Sequence, residues 1–231
     1  MSSAPAGAGD RAAGQTPGIA EDRGEAAVLH ARLNLITTDP ALLRESISYV
    51  EDEVRPVVES QPGNLGLSLL AGPELGIAIL ESFWASDYAL VHSEPAVAPA
   101  RSEMVRRVKG TVTVERYQIP VFEREAPLRG GEGVRLTRME VEPSGIDDAI
   151  EVFGDTAVPL LAETAGFHSA LLFADPASGH LISETVWRDR QALAASGSAA
   201  AVVRAEAIAA TNCVIRAVEE YIQVFSSARK P

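Results

Sequence analysis

Two tryptophans end nearly identical runs: Ile79 to Trp84 reads ILESFW and Ile182 to Trp187 reads ISETVW. An indole at the end of an apolar run can offer a flat wall to an aromatic ligand, and it fills a core equally well. Ser82 and Thr185 stand two residues before the tryptophans, and Ser183 four before Trp187, so their hydroxyls share the tryptophan face of an extended strand. His92 lies eight residues past Trp84, and an imidazole there suits the role of proton acceptor; Tyr88 stands between them. Asn34, on an earlier apolar run, is a candidate hydrogen-bonder for the same pocket. Together Trp84, Trp187, Asn34, Ser82, Ser183 and Thr185 read as substrate-binding candidates, with His92 and Tyr88 as catalytic ones.

Other chemistry-bearing residues read more quietly. Glu81 with Arg101, and Glu184 with Arg204, look like an ion pair between strand and helix, since partly buried charges need partners whatever the function. His30, His168 and His180 are scattered and form no His-x-x-x-His spacing. The chain has no Gly-x-Ser-x-Gly elbow, P-loop or zinc spacing, and its Gly130–Gly133 run precedes a strand and opens no helix.

The runs that carry these residues occur twice. Trp84 and Trp187 are 103 residues apart, and the same ungapped shift lays Arg32 on Arg135, Pro40 on Pro143, Pro56 on Pro159, Gly63 on Gly166, Gly76 on Gly179, Glu81 on Glu184 and Arg101 on Arg204. About a quarter of the overlaid positions agree. A period of that length is a whole small domain, too long for a solenoid unit.

Each copy reads as strand, helix, strand, strand, helix, strand. VLHARLNLI is a strand, and Asp39-Pro40 supplies an N-cap and first-turn proline, a capping part Ser144 takes in the second copy. Leu43, Ile47, Val50, Val54 and Val58 form one helical stripe, repeated by Ile146, Ile150, Phe153, Ala157 and Leu161. Pro56 and Pro159 fall late in those stripes and predict a kink or restart. Turns at 72–76 and 175–179 join two strands as a hairpin, and Ser86 or Asp189 then caps a short helix. Pro95 and Pro99 are expected to break the region that follows. The order is the ferredoxin-like βαββαβ unit, whose bare sheet face must be covered, here by its own duplicate. The expected fold class is α+β: tandem ferredoxin-like repeats forming an intrachain pseudo-dimeric barrel. The expected boundaries are a disordered tail over 1–25, halves over 26–124 and 134–227, and a linker over 125–133.

The bulk numbers exclude several classes. A formal net charge of −12 repels nucleic acid and anionic lipid, and the short basic cluster Arg106, Arg107, Lys109 reads as a solvated helix end. The first two dozen residues hold no apolar block suited to a signal peptide, and no apolar run is long enough to predict a transmembrane helix. Cys213 is the single cysteine, so no intrachain disulfide forms; it reads as a small buried hydrophobe, and a cytoplasmic location is expected.

The motifs PGNLG and AGFHS after the first helix of each copy, the Asp175-Pro-x-x-Gly179 hairpin, and the Glu-x-x-Trp strand end followed by Ala-Leu resemble the antibiotic-biosynthesis-monooxygenase-like family of dimeric α+β barrels. The resemblance spans about Val28 to Phe225 as two tandem copies. It implies a barrel about an internal pseudo-twofold and a tryptophan face turned inward to line the pocket. It also implies either a cofactor-independent oxygenase, acting on a small aromatic or polyketide-derived compound, or a non-catalytic small-molecule-binding or interaction barrel. Partners are then a small hydrophobic or aromatic ligand, with no nucleic acid and no membrane, in a monomer with an internal pseudo-dimer or in a homodimer. Two departures stand out. The oxygenase branch has asparagine four residues before the tryptophan, where this chain has Leu80 and Ser183. The haem-degrading branch has histidine about ten residues beyond it, where this chain has Glu94 and Gly197.

Overall fold

A computed structural model of the protein describes residues 28–125 and 128–229. The tail expected to be disordered, and residues 126 and 127 of the linker, lie outside the described residues. The described residues form eight strands: β1 (Leu29–Thr37), β2 (Asn64–Gly72), β3 (Ile77–Trp84), β4 (Thr111–Arg124), β5 (Gly133–Glu140), β6 (Phe167–Asp175), β7 (His180–Trp187) and β8 (Val214–Ser226). They close into one antiparallel barrel in the order β1-β3-β2-β8-β5-β7-β6-β4. Each half supplies a four-stranded ferredoxin-like sheet. The halves join edge to edge, β2 pairing with β8 and β4 with β6, so no free sheet edge is left at either seam.

The helices lie outside. The first half has α1 (Leu43–Tyr49), α2 (Arg55–Glu59), α3 (Asp87–His92) and α4 (Glu94–Val108); the second has α5 (Ile146–Val152), α6 (Val158–Ala162), α7 (Arg190–Ala195) and α8 (Gly197–Thr211). A π-helical turn, Val50–Val54 or Phe153–Ala157, joins α1 to α2 and α5 to α6. It answers the expected kink: each proline lacks an amide proton and crowds the carbonyl four residues back, and a widened turn just before it relieves both. Asp39 accepts the amide of Ala41 at 2.8 Å, and Ser86 and Asp189 cap Ala89 and Ala192. Ser144 caps nothing; Glu142 precedes the first turn there, and its side chain makes no capping bond either. Pro95 and Pro99 do not break α4, because Pro95 falls in the first turn, where its amide would be unpaired anyway, and the helix runs on through Pro99. The hairpin glycines are fixed by contact. Gly76 and Gly179 have positive φ, and a Cβ there would come within 2.1 and 2.0 Å of the carbonyl oxygens of Thr38 and Val141.

Three apolar clusters follow. One draws residues from all eight strands, among them Leu33, Ile79, Phe83, Val134, Phe173 and Tyr221, and fills the barrel interior. The other two lie on the outer surface of the barrel, each beneath the helices of its own half.

Candidate functional site

Strand alternation decides which residues can reach a ligand. On β3, Ile79 and Phe83 belong to the interior cluster, so Glu81 between them points inward; Ala78, Leu80 and Trp84 belong to the cluster under the helices. The tryptophan face is therefore the outer one, opposite to the inward placement the resemblance implied. Trp84 and Trp187 are fully buried, and each donates its indole N–H back along its own strand, to Ser82 Oγ at 3.0 Å and to Thr185 Oγ1 at 3.1 Å. Phe167 packs edge-on against Trp187, with ring centroids 5.7 Å apart, and the Arg32 guanidinium lies over Trp84. With their polar edges satisfied and their rings enclosed, both indoles complete cores.

The same alternation separates the expected glutamate–arginine pairs. Glu81 and Glu184 face the interior, whereas Arg101 and Arg204 come from α4 and α8 on the other side of the sheet. Arg101 pairs instead with Glu94 and approaches Asn34 Oδ1 at 3.5 Å.

Between sheet and helices each half holds a hollow. The first, about 20 Å³, is lined by Arg32, Asn34, Val54, Val58, Leu80, Ser82, Val97, Arg101 and Met104. The second, about 50 Å³, has Arg135, Thr137, Ser183, Thr185, Arg204, Thr211 and Cys213 among an apolar wall that includes Met139, Phe153, Leu172 and Leu181. The repeat register explains the difference. Val54, Val97 and Met104 of the first hollow are replaced by Ala157, Ala200 and Ala207 in the second. Helix α4 buries Val97, Met104 and Val108 under itself, whereas α8 buries only Ala200.

The polar ends are built alike and charged differently. Arg32 donates to the Leu90 carbonyl at 2.6 Å and to Ser93 Oγ at 3.1 Å; Arg135 donates to the Leu193 carbonyl at 2.9 Å and to Ser196 Oγ at 2.8 Å. Each arginine thereby pins its first strand to the junction of its two later helices. In the first half Glu94 bridges Arg32, at 3.1 Å, and Arg101. In the second, Arg135 pairs with Glu220 at 2.8 Å, and Arg204 makes no hydrogen bond or ion pair among the described residues. Burial and the positive charge of Arg135 hold the Arg204 guanidinium below its ordinary range, against the opposing pull of Glu220. Burial likewise brings Arg32 down to about 10, opposed by Glu94.

Sequence-expected residues thus divide. Ser183 and Thr185 meet in the second hollow, and Asn34 and Ser82 in the first. Tyr88 and His92 join neither: they stack on each other with centroids 3.7 Å apart at an exposed cleft with Pro62 and Ala85, and Tyr88 is 70 % exposed. Arg32, Arg135, Arg204 and Thr137 were not among the expected site residues. The signal that could have found them is the large-to-small change along the repeat, Met104 to Ala207 and Glu94 to Gly197.

Among solved structures, an anthrone oxidase-like protein superposes with a TM-score of 0.64 at 18% identity, over 90% of this chain and 96% of its own. A candidate monooxygenase from Fusobacterium nucleatum gives 0.64 at 12% identity, over 86% and 93%. The chain has the fold of the monooxygenase-like α+β barrels. Both superpositions span the tandem pair, so the antibiotic-biosynthesis-monooxygenase-like resemblance of the repeats holds at the level of fold. No protein-family model matches the chain. By sequence it is similar to the uncharacterized protein Rv2558 of Mycobacterium tuberculosis, 27% identical over 219 residues, 94% of this chain and 93% of that protein. The uncharacterized protein Rv2557 of the same organism is 28% identical over 174 residues, 75% of this chain and 78% of that protein. No helix among the described residues is long and apolar enough to cross a membrane.

Proposed function

We propose that the protein is a monooxygenase-like barrel that acts, without a cofactor, on a small aromatic or polyketide-derived compound bound in the second-half hollow. The observation that carries this is the hollow itself: an apolar space under α8 into which the strands β5 and β7 bring Thr137, Ser183 and Thr185 and the helix brings Arg204. A few polar groups in a mostly apolar recess are the usual makings of a small-molecule site. The likeness in fold to an anthrone oxidase-like protein supports the substrate class.

The chemistry asked of the chain is modest. A phenol or anthrone that loses a proton becomes electron-rich enough to reduce dioxygen itself. A CH₂ between two rings then becomes a carbonyl, one oxygen atom entering the product and the other leaving as water. Among the described residues neither histidine nor carboxylate lines the hollow, so the proton passes to solvent water before the site closes, Arg204 stabilises the phenolate or enolate left behind, and a proton returns from solvent to the oxygen that departs as water. A space of about 50 Å³ is smaller than the roughly 150 Å³ that takes up benzene in a core. Binding therefore needs α8 to lift, and its alanine underside holds it loosely.

Oxygen uptake with a panel of phenols, anthrones and hydroquinones tests the proposal. Uptake above the uncatalysed rate, lost in Arg204→Gln, is the expected result, and no turnover across the panel overturns it. The missing base in the hollow favours a second reading, a binding barrel without catalysis, which ligand binding with no chemical change would establish.

A further inference from the structure

The halves differ in how the charges at this junction are arranged: at the repeat register Glu94 becomes Gly197, Arg116 becomes Glu219 and Tyr117 becomes Glu220. In the first half the Glu94 carboxylate is held between Arg32 and Arg101, above the smaller hollow. Burial pushes this carboxyl up, but the hydrogen bond from Arg101 and the charges of Arg32 and Arg101 together bring it below the usual carboxylate range. In the second half the two arginines are present, as Arg135 and Arg204, and the carboxylate is missing because Gly197 stands where Glu94 would. A Cβ built on Gly197 meets nothing within 4 Å, so the space that a side chain would enter is open. Glu220 answers Arg135 directly from β8 and acts on Arg204 through its charge alone, so among the described residues no carboxylate makes an ion pair with Arg204.

We infer that the second-half hollow takes a ligand with an anionic oxygen head on an apolar ring body, its head seated against Arg204 at the place Glu94 occupies in the first half, and that this is the one such site among the described residues. Glu94 is then a built-in stand-in for the head group, and together with Met104 it closes the first half. The inference rests on the reading of the second hollow as the binding site and goes further in assigning ligand charge and stoichiometry.

The geometry reaches the head group in two steps. The Arg32 and Arg135 anchors are superposable in role, so the carboxylate held by Arg32 and Arg101 marks a location already built for one in the second half. Arg204 is half-buried and beside a like charge, so an incoming anion relieves a repulsion as well as forming a charge-assisted bond. A carboxylate, a phenolate and an enolate all share this chemistry, and the test separates them.

The full chain is titrated calorimetrically with 2-naphthoate, 2-naphthol and 2-naphthamide, at pH 7 and pH 10. Binding of naphthoate with one site per chain, at least tenfold tighter than the amide, is expected, as is naphthol binding that strengthens by tenfold or more at pH 10 if a phenolate is accepted. Gly197→Glu supplies the missing carboxylate and should abolish naphthoate binding while leaving the circular dichroism and melting temperature as they were. Glu94→Gly combined with Met104→Ala should raise the stoichiometry to two. Equal binding of acid and amide, two sites in the unaltered chain, undiminished binding in Gly197→Glu, or no binding of any probe overturns the inference. The oxygenase reading fails separately: naphthoate bound without any phenol or anthrone being oxidised sinks catalysis and leaves the anionic site standing, and turnover of neutral substrates with no acid preference does the reverse.

Discussion

Glu81 from the first half and Glu184 from the second bring their buried carboxyl groups together inside the barrel, where a hydrogen bond between them would satisfy oxygens that are otherwise unpartnered. Two ionised carboxylates can only accept, so the bond requires a proton. Burial and the charge of Glu184 both push the Glu81 carboxyl well above the usual range, so the pair retains a proton where a lone exposed carboxyl would be ionised. Burial raises Glu184 as well, while the bond from Glu81 and the charge of Arg124 oppose that rise. The pair ties β3 to β7, one strand from each copy, across an otherwise apolar interior. Without that proton both Glu81 oxygens are buried and unpartnered.

The sign of the pH dependence follows. Glu81 is raised on folding, so the folded state holds more protons than the unfolded one above the ordinary carboxyl range. Its contribution to stability is full below about pH 4.5 and is lost progressively as pH rises toward the folded value. Glu81→Gln keeps a donor to Glu184 and removes the titration. The variant should therefore melt higher than the unaltered chain at pH 7 to 8, by an amount that shrinks to nothing near pH 4.5. Melting curves of both proteins over pH 4 to 9 measure this, and a gap that is constant or grows toward acid contradicts a shared proton.

Glu94 carries the opposite sign. Its carboxyl lies below the ordinary range on folding, so its contribution is present above about pH 4.5 and disappears as pH falls through the folded value. Glu94→Gln leaves Arg32, which is buried, short of a counter-charge and should cost roughly 1–3 kcal/mol at pH 7, with the difference fading below pH 4. Urea titrations at pH 7 and pH 3.5 give both numbers, and an equal loss at both pH values would mean that shape rather than charge holds this junction.

The fold was legible because the two copies check each other: the first-helix prolines, the turn glycines, the caps Ser86 and Asp189 and the apolar stripes recur at one register, and each records a backbone constraint. Lys109 and Asn212 repeat even the left-handed residue that ends α4 and α8. The site was less legible. Alternation tells that Trp84 and Glu81 face opposite ways but not which way is inward, because in a barrel covered by helices both sides of a strand are apolar. Ranking by chemical character favoured Tyr88 and His92, which lie on the surface. The hollow owes its existence to Ala157, Ala200 and Ala207, residues whose importance is what they leave empty.

The tryptophans give a test of packing against recognition. Trp187→Phe removes a buried N–H, leaves Thr185 Oγ1 without that partner and opens space beside Phe167. A loss of about 2–4 kcal/mol in stability is expected, with oxygen uptake or ligand affinity per folded molecule changed less than threefold. Both indoles in the unaltered chain should emit in the blue and resist acrylamide, since neither is exposed. Ligand affinity falling a hundredfold in a variant of unchanged stability would return Trp187 to the pocket wall.

Filling the hollow should separate stability from function in the other direction. Ala207→Met restores the residue that occupies the matching place in the first half, Met104, and an unbranched thioether adapts to the space under α8. Burying three added heavy atoms there is worth up to about 2 kcal/mol, less whatever strain remains, so the melting temperature should rise by a few degrees. Ligand binding and any oxygen uptake should fall at least tenfold, because the added side chain takes the place of the ring body. If stability rises and binding is retained, the ligand enters elsewhere, and the exposed cleft beside Tyr88 and His92 becomes the place to look.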